Sequence, residues 1–394
     1  MRVFVTAASQ LSSIGMSKEE VVSNLRSYKT GVTRRDYGAL GSFFVGSIDF
    51  SDEELCDRFS IKGHYSRTTI LGIASIKSFL PQLAFIHESN LRSCLISGTS
   101  VGGMDVTESE FKKYLKGLPY DESVYRNHAC GTITHQIMKN TVDVDMIDTV
   151  STACSSAANA ILAGANHIKT GSFDVAIVGG ADSLSEFTVA GFDSLKIYDS
   201  QICRPFDKSR NGINLGEGAG FLLLESQKSM LTSGNKPLVE LTGWGSVSDA
   251  YHQTASSPDG FGATKAMREA IESASLNSTD ISFINAHGTA TLNNDVTEAI
   301  AFKNVFGNEV PPFSSTKSFT GHTLAASSGI ESVFSIYSML DGFLLPNRGY
   351  LTPIEEVGIF PNHEFKEGVE INHLLSNAFG FGGNNTSLIF SKIR

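Results

Sequence analysis

The chain has 394 residues, of which 41% are hydrophobic and 18% are charged, and its formal net charge is −10. This length is sufficient for two ordinary domains or one large α/β unit, and the composition is typical of a compact globular enzyme. The negative charge argues against nucleic acid or an anionic membrane as the main partner.

The five cysteines and the N-terminus bear on the cellular compartment. The cysteines are odd in number, widely spaced and without a CxxC pair, which favours reduced thiols over disulfides or a zinc site. The N-terminus has no signal-peptide layout, and no run of about 18 apolar residues predicts a membrane span. We therefore expect a cytoplasmic protein that does not enter the membrane.

Short strands alternate with helices along the chain. In the first half, the sequence predicts strands at 3–8, 93–98, 149–152 and 173–178, and helices at 18–28, 67–80, 107–115 and 132–139. In the second half, it predicts strands at 238–244, 281–285, 313–316, 370–377 and 386–391, and helices at 263–275, 296–305 and 324–340. This alternation predicts a mainly parallel sheet with helices on its faces.

Two segments suggest an internal duplication. Residues 150–163 and 313–339 share one layout, namely a strand, a polar loop with a reactive residue, and a helix rich in small residues. We predict two similar halves, residues 1–230 and 231–394, that meet at a shared site. The boundary between them falls in the polar stretch 226–237.

Four reactive side chains follow short predicted strands. Cys154 lies at the start of a predicted helix, where the helix dipole and free backbone N–H groups favour the thiolate. His287, Lys317 and His322 lie in later loops rich in Gly, Thr and Asn. Because loops at the carboxyl ends of parallel strands share one edge of the sheet, we expect these residues to converge. Taken singly, each has a plainer interpretation as a buried structural cysteine, a structural histidine or a solvated lysine.

These residue types suit acyl transfer. A thiolate attacks an activated carbonyl, and a thioester is its natural substrate. One histidine can accept the thiol proton, and a neutral second histidine can donate its N–H to an oxyanion or enolate. The Gly-rich turn around Phe381 exposes backbone N–H groups that suit an oxyanion hole. By contrast, GGAD at 179–182 is an incomplete dinucleotide fingerprint, and GEGAG at 216–220 lacks the lysine of a phosphate loop, so we interpret the latter as a tight structural turn.

The sequence resembles the condensing enzymes of the thiolase superfamily, and within them the elongating β-ketoacyl-[acyl carrier protein] synthases. The matching motifs are STACSSA, AIVGGAD, RPFDKSRNGINLGEGAG, NAHGTATLNND, SSTKSFTGHTLAASSGIE and NAFGFGGNN. They occur in the family's order and cover nearly the whole chain. The resemblance implies an α/β fold of the thiolase-like, five-layered αβαβα type, built of two similar halves. It also implies no metal or other cofactor, because the substrates carry the phosphopantetheine arm of acyl carrier protein.

The resemblance implies a role for each matching residue. Cys154 would be the acyl-accepting nucleophile, with His287 and His322 as the catalytic histidines. Lys317 would tune the site, and Glu331 would support it. The remaining roles are an oxyanion N–H and gate at Phe381, pantetheine contacts at Thr289 and Thr291, a channel wall at Phe192, and docking of the acidic carrier protein at Lys62, Arg67 and Lys196.

The implied reaction has two stages. An acyl group moves from acyl carrier protein to the cysteine, and a malonyl thioester then loses carbon dioxide and attacks the acyl-enzyme. The family usually forms homodimers, and a heterodimer with a related subunit stays open. Residues 118–140 match poorly, which leaves open the chain length, the saturation and the choice between fatty-acid and polyene or polyketide pathways.

Two other function classes compete with this interpretation. A non-catalytic subunit of the chain-length-factor type would shape a partner's pocket, but such subunits typically lack the nucleophile. A thiolase or an acyltransferase of other specificity would use a second reactive cysteine or a Cys-His-Asn set. Here His322 occupies the position at which the Cys-His-Asn set has its asparagine, and the other cysteines lie outside the expected motifs.

Overall fold

The computed structural model describes residues 1–393, which form fourteen strands and twelve α-helices. The strands are β1 (Val3–Leu11), β2 (Val32–Asp36), β3 (Ser42–Gly46), β4 (Ser93–Gly98), β5 (Met146–Val150), β6 (Val175–Asp182), β7 (Gly218–Ser226), β8 (Val239–Ser248), β9 (Phe283–Asn285), β10 (Phe313–Ser314), β11 (Phe343–Leu344), β12 (Lys366–Glu367), β13 (His373–Gly380) and β14 (Asn384–Ser391). The helices are α1 (Lys18–Arg26), α2 (Asp52–Arg58), α3 (Arg67–Lys77), α4 (Met104–Leu115), α5 (Cys130–Asn140), α6 (Ser156–Lys169), α7 (Glu186–Ser194), α8 (Gln227–Ser233), α9 (Phe261–Ser273), α10 (Leu292–Phe306), α11 (Lys317–Thr320) and α12 (Ser327–Asp341).

Ten strands form one sheet that consists of two repeats. The first five strands in space are β5-β4-β6-β7-β1, and the next five are β8-β14-β13-β9-β10. Both repeats have the same mixture of pairings, with two parallel pairs at the outer edge and two antiparallel pairs toward the centre. The repeats join where β1 pairs with β8, through only two residue pairs. β5 therefore corresponds to β10, and the loop of Cys154 corresponds to the loop of Lys317 and His322.

Helices lie between and outside the two repeats. The central helices α6 and α12 share one hydrophobic cluster with residues from both repeats, including Val178 of β6 and Leu374 of β13. A second cluster packs α3 and α5 on the outer face of the first repeat, and a third packs α9 and α10 on the second. This layering confirms the predicted αβαβα fold.

Small residues set the close packing in the centre. A Cβ atom added to Gly220 of β7 would lie 2.3 Å from the backbone nitrogen of Ile330 in α12, and one added to Gly218 would lie 2.4 Å from the carbonyl oxygen of Leu11. Both glycines are thus required where two backbones approach each other. The interpretation of GEGAG as a tight turn is wrong for its last three residues, since these begin β7.

No single helix within residues 1–393 is long and apolar enough to cross a membrane. Helix α3 reaches the required length only together with the 3-10 segment Leu80–Ile86, and the two are bent by 78°.

Candidate active site

The nucleophile candidate lies in the turn between β5 and α6. Cys154 is 6% exposed, and the preceding Ala153 has a φ of 53°, a left-handed conformation that is uncommon for a residue other than glycine. The turn is fixed by local hydrogen bonds, since the N–H of Thr152 donates to Oγ of Ser156 at 2.9 Å and Oγ of Ser156 donates to the carbonyl of Ala153 at 2.6 Å. Such local strain is typical of functional positions.

Three reactive side chains meet beside this turn. The sulfur of Cys154 and one ring nitrogen each from His287 and His322 lie within 4.8 Å of one another. The imidazole rings are nearly perpendicular, at 89°, with centroids 5.5 Å apart. The loops after β9 and β10 supply the two histidines, and these neighbouring strands are parallel. Cys154 follows β5 of the other repeat, which runs in the opposite direction. The packing of α6 on α12, where the N–H of Ala158 donates to Oγ of Ser328 at 2.9 Å, brings the two loops together.

Burial keeps the thiol protonated. It raises the pKa of Cys154 to about 11, while the charge of Lys317 and the backbone N–H groups of Phe381 and Cys154 act in the opposite direction. The prediction that the thiolate is favoured at this position is therefore wrong. Helix α6 begins at Ser156, two residues beyond Cys154, so the cysteine lies before the helix and not in its first turn.

His322 is held as a neutral hydrogen-bond donor. The backbone N–H of Leu324 donates to Nδ1 of His322 at 3.0 Å, so Nδ1 carries no proton and Nε2 does. Burial, reinforced by the charge of Lys317, lowers the pKa of His322 to about 3. The backbone is equally constrained, because the N–H of His322 donates to the carbonyl of Asn214 at 2.7 Å and its carbonyl accepts from Gly216 at 2.9 Å.

His287 is oriented through a carboxylate that the sequence analysis missed. The backbone N–H groups of His287 and Gly288 each donate to one oxygen of Glu298 at 2.8 Å. Glu298 lies on α10, eleven residues after the histidine, and is 1% exposed. Burial also lowers the pKa of His287 well below its ordinary value, with Lys317 and His322 contributing. Its ring is thus neutral, like that of His322.

Lys317 and Glu331 form a buried ion pair at the base of the site. Nζ of Lys317 lies 2.5 Å from Oε1 of Glu331, and the side chains are 1% and 3% exposed. The same ammonium donates to the carbonyl of His287 at 2.5 Å and lies 3.4 Å from its Nδ1. An ammonium can only donate, so it favours the His287 tautomer with the proton on Nε2. The plainer interpretation of Lys317 as a solvated lysine is wrong.

A thiol and two imidazoles at this spacing are also ligand types of zinc. Ligating histidines normally donate their second ring N–H to an acceptor. Here Nδ1 of His322 accepts a hydrogen bond and Nδ1 of His287 faces an ammonium. Both rings therefore suit donation from Nε2 to an oxyanion better than they suit metal ligation.

Two cavities meet at Cys154. The first, of about 320 Å³, is lined by Thr289 and Thr291 and reaches the exposed Lys196. The second, of about 390 Å³, is lined almost entirely by apolar side chains. Phe192 and Phe381 line both cavities and stack on each other, with centroids 5.8 Å apart.

The three predicted docking residues differ in their surroundings. Lys196 is exposed at the mouth of the first cavity, whereas Lys62 is exposed but lines none of the described cavities. Arg67 is not available as a docking residue. Its guanidinium is only 16% exposed and lies 2.8 Å from Glu217 and 2.7 Å from Asp52, because it anchors the start of α3 to the neighbouring loops.

Known proteins are similar to this chain in both sequence and fold. The family model "Beta-ketoacyl synthase, N-terminal domain" matches residues 90–229, and "Beta-ketoacyl synthase, C-terminal domain" matches residues 238–350. The 3-oxoacyl-[acyl-carrier-protein] synthase 2 of Staphylococcus aureus (strain MRSA252) is 30% identical, with 100% of this chain and 98% of the relative covered.

Solved ketosynthase structures superpose on the whole chain. The ishigamide ketosynthase/chain length factor has a TM-score of 0.90 at 27% identity and covers 100% of this chain and 99% of its own. The ketosynthase ApeO, in complex with its chain length factor ApeC from Xenorhabdus doucetiae, has a TM-score of 0.85 at 30% identity, with coverages of 100% and 98%.

Proposed function

This chain belongs to the β-ketoacyl synthase family, and we propose that Cys154, His287 and His322 carry out its chemistry. It is an acyltransferase of the 3-oxoacyl-[acyl-carrier-protein] synthase class, which extends an acyl chain by decarboxylative condensation with a malonyl thioester. One observation carries the assignment of residues. A thiol, two neutral imidazoles and two backbone N–H groups surround the point where the first cavity meets the apolar second cavity.

The first step loads the enzyme. The sulfur of Cys154 attacks the carbonyl carbon of an acyl thioester, and the oxyanion that forms accepts hydrogen bonds from the N–H groups of Cys154 and Phe381. The bond to the pantetheine sulfur then breaks. The proton that leaves Cys154 ends on that departing sulfur, so a thioester and a thiol are exchanged without net proton release.

The second step forms the carbon–carbon bond. The bond between the malonyl carboxylate and the α-carbon breaks, carbon dioxide leaves, and the electron pair becomes an enolate. The Nε2–H groups of His287 and His322 donate to the enolate oxygen, and they are oriented beforehand by Lys317 and Leu324. The α-carbon attacks the acyl-cysteine carbonyl, and the bond from the carbonyl carbon to the sulfur of Cys154 breaks. The sulfur leaves as a thiolate and takes up one proton from solvent, which is the proton that the decarboxylative condensation consumes.

The apolar pocket favours a reduced hydrocarbon chain. Among the described residues that line it, Ser100 and Thr188 are the only polar ones besides Cys154. A chain with several keto groups would leave carbonyl oxygens unpaired there, at a cost of about 1–3 kcal/mol each. We therefore expect saturated or polyene chains to be extended in preference to poly-β-ketones, as a comparison of kcat/KM on the corresponding acyl carrier proteins would show.

Acyl carrier protein would dock at the mouth of the first cavity. Lys196 is exposed there and can form ion pairs with an acidic partner. Thr289 and Thr291 line the path proposed for the pantetheine arm. Changing Lys196 to Glu should raise KM for acyl carrier protein with little effect on kcat. The same change at Lys208, which is exposed and paired with Glu355 instead, is the matched control, and equal effects of the two would contradict this docking site.

A second copy of the chain would cover the open end of the apolar pocket. Helix α4 contains no buried residue, and its Phe111, Tyr114 and Leu115 are 51%, 54% and 67% exposed. Phe187, which lines the pocket, is 66% exposed, and β5 is an edge strand of the sheet. Such an apolar surface and free strand edge are typical of a subunit interface.

Light scattering tests the dimer. The Leu115→Asp variant should dissociate it, whereas Leu231→Asp on α8, which is 83% exposed, should not. A wild-type chain that is monomeric alone and dimerises only with a related subunit would replace the homodimer by a heterodimer.

Mass spectrometry tests the assignment of the nucleophile. Wild-type protein mixed with an acyl carrier protein thioester should gain one acyl group on Cys154. Cys154→Ser should lose condensation, while Cys130→Ser, at a half-buried thiol that lines none of the described cavities, should retain it. Acylation at another cysteine would refute the assignment.

A further inference from the structure

A buried carboxylate outside the proposed catalytic set lies at the end of β6. Asp182 has no exposed surface, and its side chain accepts hydrogen bonds from Oγ1 of Thr99 at 2.6 Å, Oγ of Ser100 at 2.6 Å and the backbone N–H of Ala325 at 2.8 Å. The N–H groups of Ser100 and Val101 also donate to it. Burial raises the pKa of Asp182, while the hydrogen bonds from these groups act in the opposite direction. Three of the groups are backbone donors, which cannot accept a proton and therefore require an acceptor oxygen opposite them.

The partners of this carboxylate reach two parts of the site. Val101 lines the apolar pocket. On the other side, Ala325 follows Leu324, whose N–H donates to Nδ1 of His322. Leu324 has a φ of 54°, a left-handed conformation that a leucine leaves unless its surroundings hold it. The bond from Ala325 to the carboxylate holds this turn directly after the strained residue.

We propose that Asp182 is a positioning residue that fixes the tautomer of His322. By anchoring the Leu324–Ala325 turn, the carboxylate keeps the N–H of Leu324 directed at Nδ1, and the ring proton stays on Nε2, where it can be donated to the enolate. The inference rests on the proposed function, since it acts through the role given there to His322.

Asparagine is the informative substitution at this position. It has the shape of aspartate, but one oxygen becomes an NH₂ group. Each oxygen of Asp182 faces at least one backbone N–H, from Val101 on one side and from Ala325 on the other. Whichever way the amide turns, two donors therefore face each other and one bond is lost. With the NH₂ group toward Ala325, the Leu324–Ala325 turn loses its anchor directly. With the NH₂ group toward Val101, the side chain is repelled from that N–H and no longer holds the turn in its wild-type position.

The chain offers a matched control for a merely structural role. Glu225 is likewise fully buried and accepts hydrogen bonds from the hydroxyls of Thr6 and Ser229 at 2.6 Å each. It pairs with the first residue of β6, whereas Asp182 is the last, so the two carboxylates lie roughly 20 Å apart at strand spacing. Glu225→Gln should lower stability without changing the chemistry.

The test measures malonyl-acyl carrier protein decarboxylation together with the ¹⁵N NMR signals of the histidine rings. In Asp182→Asn we expect kcat to fall roughly 100-fold, as for other small misplacements of a reacting group, with KM unchanged. The signal of His322 should change from a single Nε2–H tautomer to a mixture, and Glu225→Gln should change neither. Ser100→Ala, which removes one donor from the folded network, should shift both readouts in the same direction by a smaller amount.

Three results overturn the proposal. One is a wild-type tautomer in Asp182→Asn, and another is an equal loss of kcat in Glu225→Gln. If Asp182→Asn does not fold, unchanged readouts in Ser100→Ala overturn it as well. The His322→Ala variant distinguishes a failure of the proposed function from a failure of the role given to Asp182. Full decarboxylation in that variant refutes the proposed function itself, whereas its loss alongside an unaffected Asp182→Asn refutes only the role of Asp182.

Discussion

The buried pair of Lys317 and Glu331 allows stability and catalysis to be separated. Both side chains are almost without solvent, and their charged atoms lie 2.5 Å apart. Changing Lys317 to Met leaves the carboxylate of Glu331 buried without a cation, which typically costs about 3–5 kcal/mol. Changing Glu331 to Gln leaves the ammonium in the same situation. Each single variant should therefore unfold at markedly lower urea concentration than the wild type.

The double variant should recover stability but not activity. Because both charges are then absent, its loss should be smaller than the two single losses added together, by roughly 1–3 kcal/mol. Decarboxylation should stay low, since the ammonium that faces Nδ1 of His287 is still missing. The exposed pair Lys208–Glu355, at 56% and 75% exposure, is the control, and removing it should cost at most about 1 kcal/mol.

Urea unfolding and malonyl-acyl carrier protein decarboxylation measure the two quantities on the same samples. Strictly additive stability losses would show that the ion pair is not the coupled unit described here. Recovery of decarboxylation in the double variant would show that His287 does not depend on the ammonium for its tautomer.

Four further outcomes are expected. Alkylation of Cys154 by iodoacetamide should accelerate about tenfold per pH unit between pH 7 and 9, because burial raises the pKa of the thiol to about 11; a plateau below pH 8 would contradict this. Cys154→Gln should lose condensation yet retain malonyl decarboxylation in a radiolabelled CO₂ assay, because the histidines act without the thiol. His322→Ala should slow decarboxylation by at least roughly 100-fold, and treatment with EDTA should leave wild-type turnover unchanged.

The sequence predicted correctly that the reactive groups meet, but the reason given for it holds only in part. His287 and His322 follow the parallel strands β9 and β10, whereas Cys154 follows β5, which runs in the opposite direction in the other repeat. The packing of α6 against α12 joins the two repeats at the site. Reasoning from strand ends does not predict how far a side chain is buried from solvent. The thiolate prediction considered a helix dipole without knowing that the sulfur would be buried.

Other features depend on contacts between distant segments. Gly218 and Gly220 resemble turn residues in the sequence, because the sequence does not display the close packing of α12 against β7. Glu298 and Asp182 look like ordinary acids of a helix and a strand end, because their partners are backbone N–H groups that a sequence does not display. Arg67 resembles an exposed surface charge in the sequence for the same reason. Its partner, the carboxylate of Glu217, is 150 residues away along the chain.

The two repeats of the sheet line different cavities, one for the acyl chain and one for the phosphopantetheine arm. Most of the residues around the apolar pocket come from the first repeat, such as Val101 and Phe187 of α7, with Leu324 and Phe381 from the second. Most of those around the first cavity come from the second repeat, such as Thr289 and Asn293. Mutations in the first half can thus change the preference for one acyl chain over another. Most residues that line the first cavity, which would admit the phosphopantetheine arm, stay unchanged by such mutations.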